Sequence, residues 1–300
     1  MHAYLKILLT AASLSGPLAA VRADVFFNDT PLPDVIDEPI SAVRVSSTYF
    51  GSADYVDHSR EEYSMRRHAF AGSYVRKNQT TTDFIAAGYE LTHYDFQLSD
   101  DRDFHSFFAT AGRAGMITEN WAARGHLAIG TGAEDSANFD DGAWFGGGVL
   151  FQREWDNGLS FGIGLNAHDF AERGLQLQVP LTFKWRINER LRLELGNGAK
   201  LTYDVWGDQR TLLEVGYLSE YRHYRMRDFS EPNLRDLAVE ELQHMAAVKL
   251  HHRFGEHASL FVMAGYTGDR EITFWHNNAA VGAANGDQTW LFSIGFSYRF

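Results

Sequence analysis

The sequence of 300 residues contains no cysteine and only six prolines. The missing cysteine excludes a disulfide scaffold, thiolate metal sites, thiol nucleophiles and a lipid anchor attached to an N-terminal cysteine. Basic residues are also scarce, with 27 Lys and Arg against 39 Asp and Glu, so the formal net charge is −12. This balance argues against a nucleic-acid partner.

Long apolar runs are missing too, apart from a short one near the N-terminus. It begins at Ile7, just after Lys6, and is followed by Val21-Arg22-Ala23, whose small residues suit a cut after Ala23. We interpret residues 1–23 as a secretory signal peptide. The alternative, a membrane-anchoring helix, is broken by serine, glycine and proline between positions 13 and 17. Cleavage would change the formal charge from −12 to −14, because Lys6 and Arg22 would leave.

The final segment, WLFSIGFSYRF, alternates large apolar residues with mostly small or polar ones. The apolar set is Trp290, Phe292, Ile294, Phe296, Tyr298 and Phe300. A period of two places them on one face of a strand. That face meets either the core of a soluble β-sandwich or lipid, and the rest of the chain must decide between the two.

The segment LQLQVPLTFKWRI favours lipid. Its seven apolar residues, from Leu175 to Ile187, are in phase and alternate mainly with polar residues. The strand would extend for ~40 Å at ~3.3 Å per residue, whereas globular strands usually stop at ~5–6 residues. Pro180 does not fit this pattern. Proline has no N–H to donate to a neighbouring strand, and a closed barrel has no free edge at which that would not matter. The sequence therefore predicts a bulge at Pro180.

Similar alternation recurs at 85–92, 121–129, 159–165 and 246–254. Charged residues on one face of several of these strands suit a wet interior better than a sandwich core. Short turns alternate with long connections, as in outer-membrane barrels. The predicted long connections are Gly51–Arg67, Asp95–His105, Gly132–Gly142, His168–Gly174, Arg227–Glu241 and Asn277–Asp287.

One stretch, LRLELGNGAKLTYDV, interrupts this order because both of its flanking turns are short. A reversal at Gly196-Asn197-Gly198, on the rim with the long loops, restores it. The predicted fold class is all-β, an antiparallel up-and-down transmembrane β-barrel of about 14 strands, with 12 as the alternative. Residues 24–39 would be a periplasmic segment, and residues 40–300 would form the barrel in the outer membrane.

Two resemblances agree with this prediction. The alternating apolar residues of the final segment, which we name the terminal stripe, resemble the C-terminal assembly signal of bacterial outer-membrane proteins. The residues that carry this signal here are Phe292, Ile294, Phe296, Tyr298 and Phe300. This resemblance implies a last strand that faces lipid and is recognised by the barrel-insertion machinery.

From Lys184 onward, the chain also resembles a family of bacterial outer-membrane barrels known only as a domain of unknown function. The matching features are Trp185-Arg186, Gly196 and Gly198, Tyr203, Tyr221, Tyr224-Arg225 and Ala264-Gly265, and the departure is Asn197, where the family has proline. This resemblance implies a barrel and its location, but no activity.

The polar strand faces predict the lining of the lumen. The candidates are Arg124, His126, Lys184, Arg186, Arg192, Glu194, Lys200, Glu214, Lys249 and Arg253. A porin-like channel for small solutes is the first interpretation. The alternatives are a structural or adhesion barrel whose charges pair in a closed lumen, and a rim enzyme that acts on outer-membrane lipid. The expected partners are outer-membrane lipid, the insertion machinery and small solutes, and no cofactor is predicted.

Other motifs favour simpler interpretations. GLSFG around Ser160 has the letters of a nucleophile elbow, but it begins a strand rather than a strand–turn–helix unit. The acidic segments LSDDRDF and GAEDSANFDDG could bind Ca²⁺, yet neither has the spacing of a calcium loop, so a metal site stays undecided. His251, His252 and His257 lack helical metal spacing, and FGGGVLF lacks the Lys-Ser/Thr of a phosphate loop.

Overall fold

The computed structural model describes residues 40–55, 61–78, 80–97, 100–135, 137, 142–170, 174–196, 198–226, 237–276 and 279–300. No helix in these ranges is long and apolar enough to cross a membrane. The strands are β1 Ile40–Tyr55, β2 Glu61–Asn78, β3 Thr81–Phe96, β4 Arg102–Thr118, β5 Trp121–Glu134, β6 Ala143–Glu154, β7 Leu159–Phe170, β8 Gly174–Gln178, β9 Leu181–Arg186, β10 Leu191–Leu195, β11 Gly198–Asp204, β12 Thr211–Met226, β13 Leu237–Phe254, β14 Ala258–His276, β15 Ala279–Gly286 and β16 Trp290–Arg299.

The strands form one sheet that closes on itself. β1 pairs with β2 on one side and with β16 on the other, from Ala42↔Arg299 to Phe50↔Leu291. β8 and β9 both pair with β7, so they are two segments of one interrupted strand. β15 and β16 are related in the same way, since both lie between β14 and β1. The wall is therefore a closed antiparallel barrel of 14 strands, which confirms the predicted fold class and count.

The exterior of the barrel is apolar. Leu127, Phe145 and Leu175 are each more than 60% exposed. In the last strand Phe292 and Ile294 are exposed, whereas Leu291 between Trp290 and Phe292 is 1% exposed. The terminal stripe thus faces outward, which is incompatible with the core of a soluble sandwich and fits a barrel that lies in lipid.

The two ends of the barrel differ. The lower end has the short turns, such as those between β4 and β5 and between β13 and β14, and also contains Ile40 and Phe300. At the upper end lie Met226 and Leu237, where β12 ends and β13 begins. Residues 1–39, with the predicted signal peptide and periplasmic segment, lie outside the described residues.

Several predicted long connections are strands. The ladder of β1 with β2 continues to Tyr55↔Glu61, inside the predicted connection Gly51–Arg67, and β15 occupies most of Asn277–Asp287. β13 likewise begins at Leu237, within Arg227–Glu241. The prediction was wrong there because the upper ladder extends past the apolar exterior. Its exposed residues, such as Ser52, Asp54 and Ala283, are small or polar, so the period of two disappears from the sequence although pairing continues.

The region around Gly196 and Pro180 needs two further corrections. The chain does reverse between β10 and β11, but Gly198 pairs with Leu218, halfway along β12. The reversal therefore lies within the wall and not on the upper rim, because only five ladder pairs join these two strands. At Pro180 the strand is interrupted between β8 and β9 instead of bulging, and the Gly164 N–H donates to the Pro180 carbonyl at 3.0 Å.

Candidate functional site: a divided barrel lumen

All ten predicted lumen residues lie on the inward face of their strands. Arg124 and His126 lie on β5, Lys184 and Arg186 on β9, Arg192 and Glu194 on β10, Lys200 on β11, Glu214 on β12, and Lys249 and Arg253 on β13. Their outward neighbours, such as Trp185, Val215 and Val248, are 41–49% exposed on the apolar exterior. Most of these polar residues therefore line one side of the lower lumen, on β9–β13.

Some of the lower charges pair across neighbouring strands. Lys200 Nζ lies 3.2 Å from Glu194 and 3.9 Å from Glu214, and Lys249 Nζ lies 2.9 Å from the same Glu214. These four side chains are 16–27% exposed, so water reaches them. Partly exposed pairs of this kind contribute roughly 0–1 kcal/mol each.

Other basic residues of the lower lumen have no such partner. Among the described residues, no carboxylate lies within ion-pair distance of a group that we name the basic lower lumen: Lys184, Arg186, Arg192 and Arg253. Arg186 and Arg192 lie directly opposite each other on β9 and β10. Like charges in opposed positions destabilise a sheet, so stability alone does not explain this pair.

The upper lumen is built differently because β12 leaves the wall. Leu218 is opposite Gly198, the first residue of β11. Above this pair, residues 219–226 of β12 cross toward β5, and Arg225 forms a parallel bridge with Ala133. Gly132 permits this close approach, since a Cβ at that position would lie 2.5 Å from the His223 carbonyl oxygen. We name residues 219–226 the crossing segment.

The two faces of the crossing segment are both buried. On one face Arg222 and Tyr224 point toward β1–β5 and β14, where the Tyr224 ring lies 4.9 Å from that of Phe104. On the other face the Tyr221 ring lies 6.4 Å and the His223 ring 5.0 Å from Phe170 of β7. The crossing segment thus divides the upper lumen into two compartments.

The larger compartment contains a group of buried ion pairs. We name it the upper ion cluster: Arg67, Arg222, Arg270, Glu90, Glu220 and Glu241. Arg270 Nε lies 2.9 Å from Glu241, and both side chains are 2% exposed. Arg67 Nη1 lies 3.1 Å from Glu220, and Arg222 contacts Glu90 at 3.6 Å and Glu241 at 3.7 Å. Three arginines and three glutamates balance, which makes their burial tolerable.

Aromatic and sulfur atoms surround the cluster. The Arg67 guanidinium lies 4.8 Å from the Phe50 ring centroid, and that of Arg270 lies 5.3 Å from the Tyr63 ring. Tyr94 donates a hydrogen bond of 2.9 Å to Glu241. These rings belong to the largest buried hydrophobic cluster among the described residues, so packed side chains fill this compartment.

Sequence reasoning missed the upper ion cluster. Arg67 and Glu241 fall at the boundaries of predicted loops, so neither was considered as a lumen residue. One signal was available in the sequence, since Tyr63, Met65 and Arg67 occupy alternate positions. In the structure all three side chains are buried on the same face of β2. The aliphatic part of an arginine can pack against large neighbours, so this spacing is compatible with a packed interior.

The other candidate motifs gain little support. Ser160 is buried on the inward face of β7 and accepts a hydrogen bond from Gln152 at 3.4 Å, in a strand and not in a nucleophile elbow. Within the described ranges, no group of three His, Asp or Glu residues could hold a metal ion. Of the acidic segment GAEDSANFDDG, Glu134 pairs with Arg102 at 3.2 Å, while residues 138–141 lie outside the described residues.

Comparisons with known proteins support the fold. The toluene transporter TodX of Pseudomonas putida matches with a TM-score of 0.52 and 9% identity, over 95% of this chain and 95% of that one. A Pseudomonas aeruginosa FadL homologue matches with a TM-score of 0.48 and 9% identity, over 96% and 95%. No family model matches the chain, and neither does any curated protein. The likeness is one of fold, that of outer-membrane barrels, and the resemblance to one particular barrel family gains no support from it.

Proposed function

We propose that the protein is an outer-membrane channel for small solutes, whose axial path rests closed at its upper end. The observation that carries this proposal is the contrast between the two halves of the lumen. The lower half exposes the basic lower lumen to water, whereas the upper half is filled by the crossing segment and the upper ion cluster. A barrel with a purely structural role has no need for opposed arginines at a wet surface.

The unpaired charges suggest which solutes pass. Arg186 and Arg192 are opposed and exposed, and Lys184 lies on the same face of β9. Positive charge beside a low-dielectric wall attracts anions, and this attraction is screened less than at an exposed loop. We therefore expect a mild preference for small anions once the path is open.

Planar-bilayer recording of the mature chain tests this function. Current should be intermittent, and the reversal potential across a KCl gradient should indicate anion preference. The double variant Lys184→Gln/Arg186→Gln should lose that preference. The matched control Arg210→Gln, at a lower turn with a side chain that is 60% exposed, should keep it. Cation preference in the unchanged chain would refute the assignment of these charges.

One observation favours a second function, a structural barrel with a closed lumen. The upper ion cluster pairs its charges internally, which is what a closed interior requires. Complete absence of current at saturating protein, under voltages that open the channel of a control porin, would support this function and remove the channel.

A further inference from the structure

Two arginines face each other at the lower end of the lumen. Arg186 of β9 and Arg192 of β10 are directly opposite, in the last ladder pair before the turn that joins the two strands. The Arg186 N–H donates to the Gly158 carbonyl at 2.9 Å, on the side of β7 and away from β10. The two arginines therefore form a non-hydrogen-bonded pair, the kind in which opposite side chains lie closest, with Cα atoms about 4.5 Å apart.

The neighbouring turns hold the backbone of this pair in place. In the β9–β10 turn, the Asn188 side chain accepts hydrogen bonds from the N–H groups of Arg190 and Leu191, each at 2.9 Å. In the β6–β7 turn, Gly158 has a φ of +76°, and a Cβ there would lie 3.0 Å from the Arg186 Cβ. Glycine lets that turn approach Arg186 so closely, because it has no Cβ and accepts positive φ. The pair is thus positioned by the fold before any ligand arrives.

Carboxylates on the same inward face are engaged by another cation. Lys200 lies 3.2 Å from Glu194, which follows Arg192 on the inward face of β10, and 3.9 Å from Glu214 of β12. Glu189 is exposed in the β9–β10 turn, but among the described residues no carboxylate lies within ion-pair distance of either arginine of the pair. Both guanidinium groups are therefore available to an anion that enters the lower lumen from solution.

The chemistry of two opposed guanidinium groups selects a particular kind of anion. Their mutual repulsion destabilises the sheet, and an anion between them relieves it. A guanidinium is a planar fork whose N–H groups match two oxygens of a carboxylate or a phosphate. Two forks that face each other can both contact one such oxyanion, whereas a chloride ion offers a single point of contact. The arrangement therefore favours oxyanions over halides of the same charge.

We infer that Arg186 and Arg192 form a binding site for an oxyanion, the phosphate or carboxylate group of a small solute, at the lower end of the lumen. The inference rests on the proposed function and narrows its solutes from small anions to those that carry such a group. Lys184 lies two residues before Arg186 on the same face, and it adds positive charge but no fork, so it attracts anions without selecting among them. Both arginines are exposed at the lower end, so binding does not require the upper path to open.

Chemical protection of the unaltered mature chain tests the site without any current. The refolded barrel is treated with phenylglyoxal, which modifies accessible arginines, and mass spectrometry measures the rate at each residue. Inorganic phosphate is compared with chloride at equal ionic strength. By mass action, phosphate at about ten times its dissociation constant should slow modification of Arg186 and Arg192 roughly tenfold relative to chloride. Arg210 is the matched control, because its side chain is 60% exposed at a lower turn, and it should react at the same rate in both salts.

The variant Arg192→Lys tests the pairing of the two forks. It keeps the positive charge and removes one guanidinium, so phosphate should protect Arg186 much less than in the unaltered chain, whereas Arg210→Lys should leave that protection unchanged. Equal protection by phosphate and chloride, or undiminished protection of Arg186 in Arg192→Lys, would overturn the inference. The proposed function can fail separately: a silent bilayer with intact phosphate protection would remove the channel and keep the site, and an anion-selective current without phosphate protection would do the reverse.

Discussion

Arg225 of β12 pairs in parallel with Ala133 of β5, whereas the other pairings in the described sheet are antiparallel and join neighbours in the wall. This bridge closes the upper sheet a second time, around β1–β5 and β12–β16, and leaves β6–β8 outside the smaller ring. Under the proposed channel function, the axial path opens only if β12 separates from β5.

Gly132 provides the first test of that contact. A Cβ added there would meet the His223 carbonyl oxygen at 2.5 Å, and a backbone atom cannot move away cheaply. Gly132→Ala should push the crossing segment from β5, lower the free energy of unfolding by about 1–3 kcal/mol and raise the open fraction in bilayer recordings. Gly125→Ala on the same strand is the control, since its added Cβ would have 3.8 Å of space. Identical behaviour of the two variants would mean that the bridge does not hold the path closed.

The upper ion cluster predicts a second effect. Glu241 lies 2.9 Å from Arg270 and 3.7 Å from Arg222, and it accepts a hydrogen bond from Tyr94. Glu241→Gln leaves buried arginines with one carboxylate fewer, which should cost about 3–5 kcal/mol of unfolding free energy. Urea unfolding of the refolded protein in lipid vesicles measures this loss.

Glu214→Gln is the matched control for that measurement. Glu214 also pairs with two cations, Lys200 and Lys249, but its side chain is 16% exposed against 2% for Glu241. Water can solvate Lys200 and Lys249 in place of the lost carboxylate, so the expected loss of unfolding free energy is roughly 1 kcal/mol or less. If Glu214→Gln were as destabilising as Glu241→Gln, burial would not be the source of the effect.

How far the sequence predicts this molecule depends on what alternation can encode. Phe292, Ile294 and the other residues of the terminal stripe revealed their outward face, because lipid exposes every second residue in turn. The pattern does not tell whether an inward residue faces water, as Arg186 does, or an opposite strand, as Tyr224 does. Contacts across the lumen join residues far apart in sequence, so no local period records them. Pro180 was a visible sign of irregularity, but it interrupts the strand without a bulge, because the register with β7 continues across it and only its own N–H is missing from the ladder.

The level of the β10–β11 reversal leads to a third prediction. Gly196 lies near Leu218, with residues 219–226 of β12 above it, about 26 Å along the strand at ~3.3 Å per residue. A cysteine fits at Gly196, because its Cβ would lie 3.6 Å from the Leu181 carbonyl oxygen. Gly196→Cys should therefore react slowly with a charged maleimide added outside cells, while Ala137→Cys in the β5–β6 connection should react fast. Equal reaction rates of the two cysteine variants would indicate that the reversal lies on the upper rim, as the sequence alone predicted.

The last prediction concerns Phe300 and separates assembly from stability. Its side chain is 70% exposed, its N–H donates to the Ser41 carbonyl at 2.9 Å, and its ring lies 5.1 Å from that of Tyr298. Because so little of the ring is buried by the protein, deletion of Phe300 should lower the unfolding free energy of the refolded barrel by roughly 1 kcal/mol or less. In cells the effect should be larger, with the amount in the outer membrane reduced by more than half, since the insertion machinery would lose the residue that ends its signal. Trp206→Ala is the control, because Trp206 is also 70% exposed but lies at a lower turn outside the terminal stripe. Normal insertion of the deletion variant would refute the assembly role, and a matching loss of stability in the refolded barrel would assign the cellular effect to folding instead.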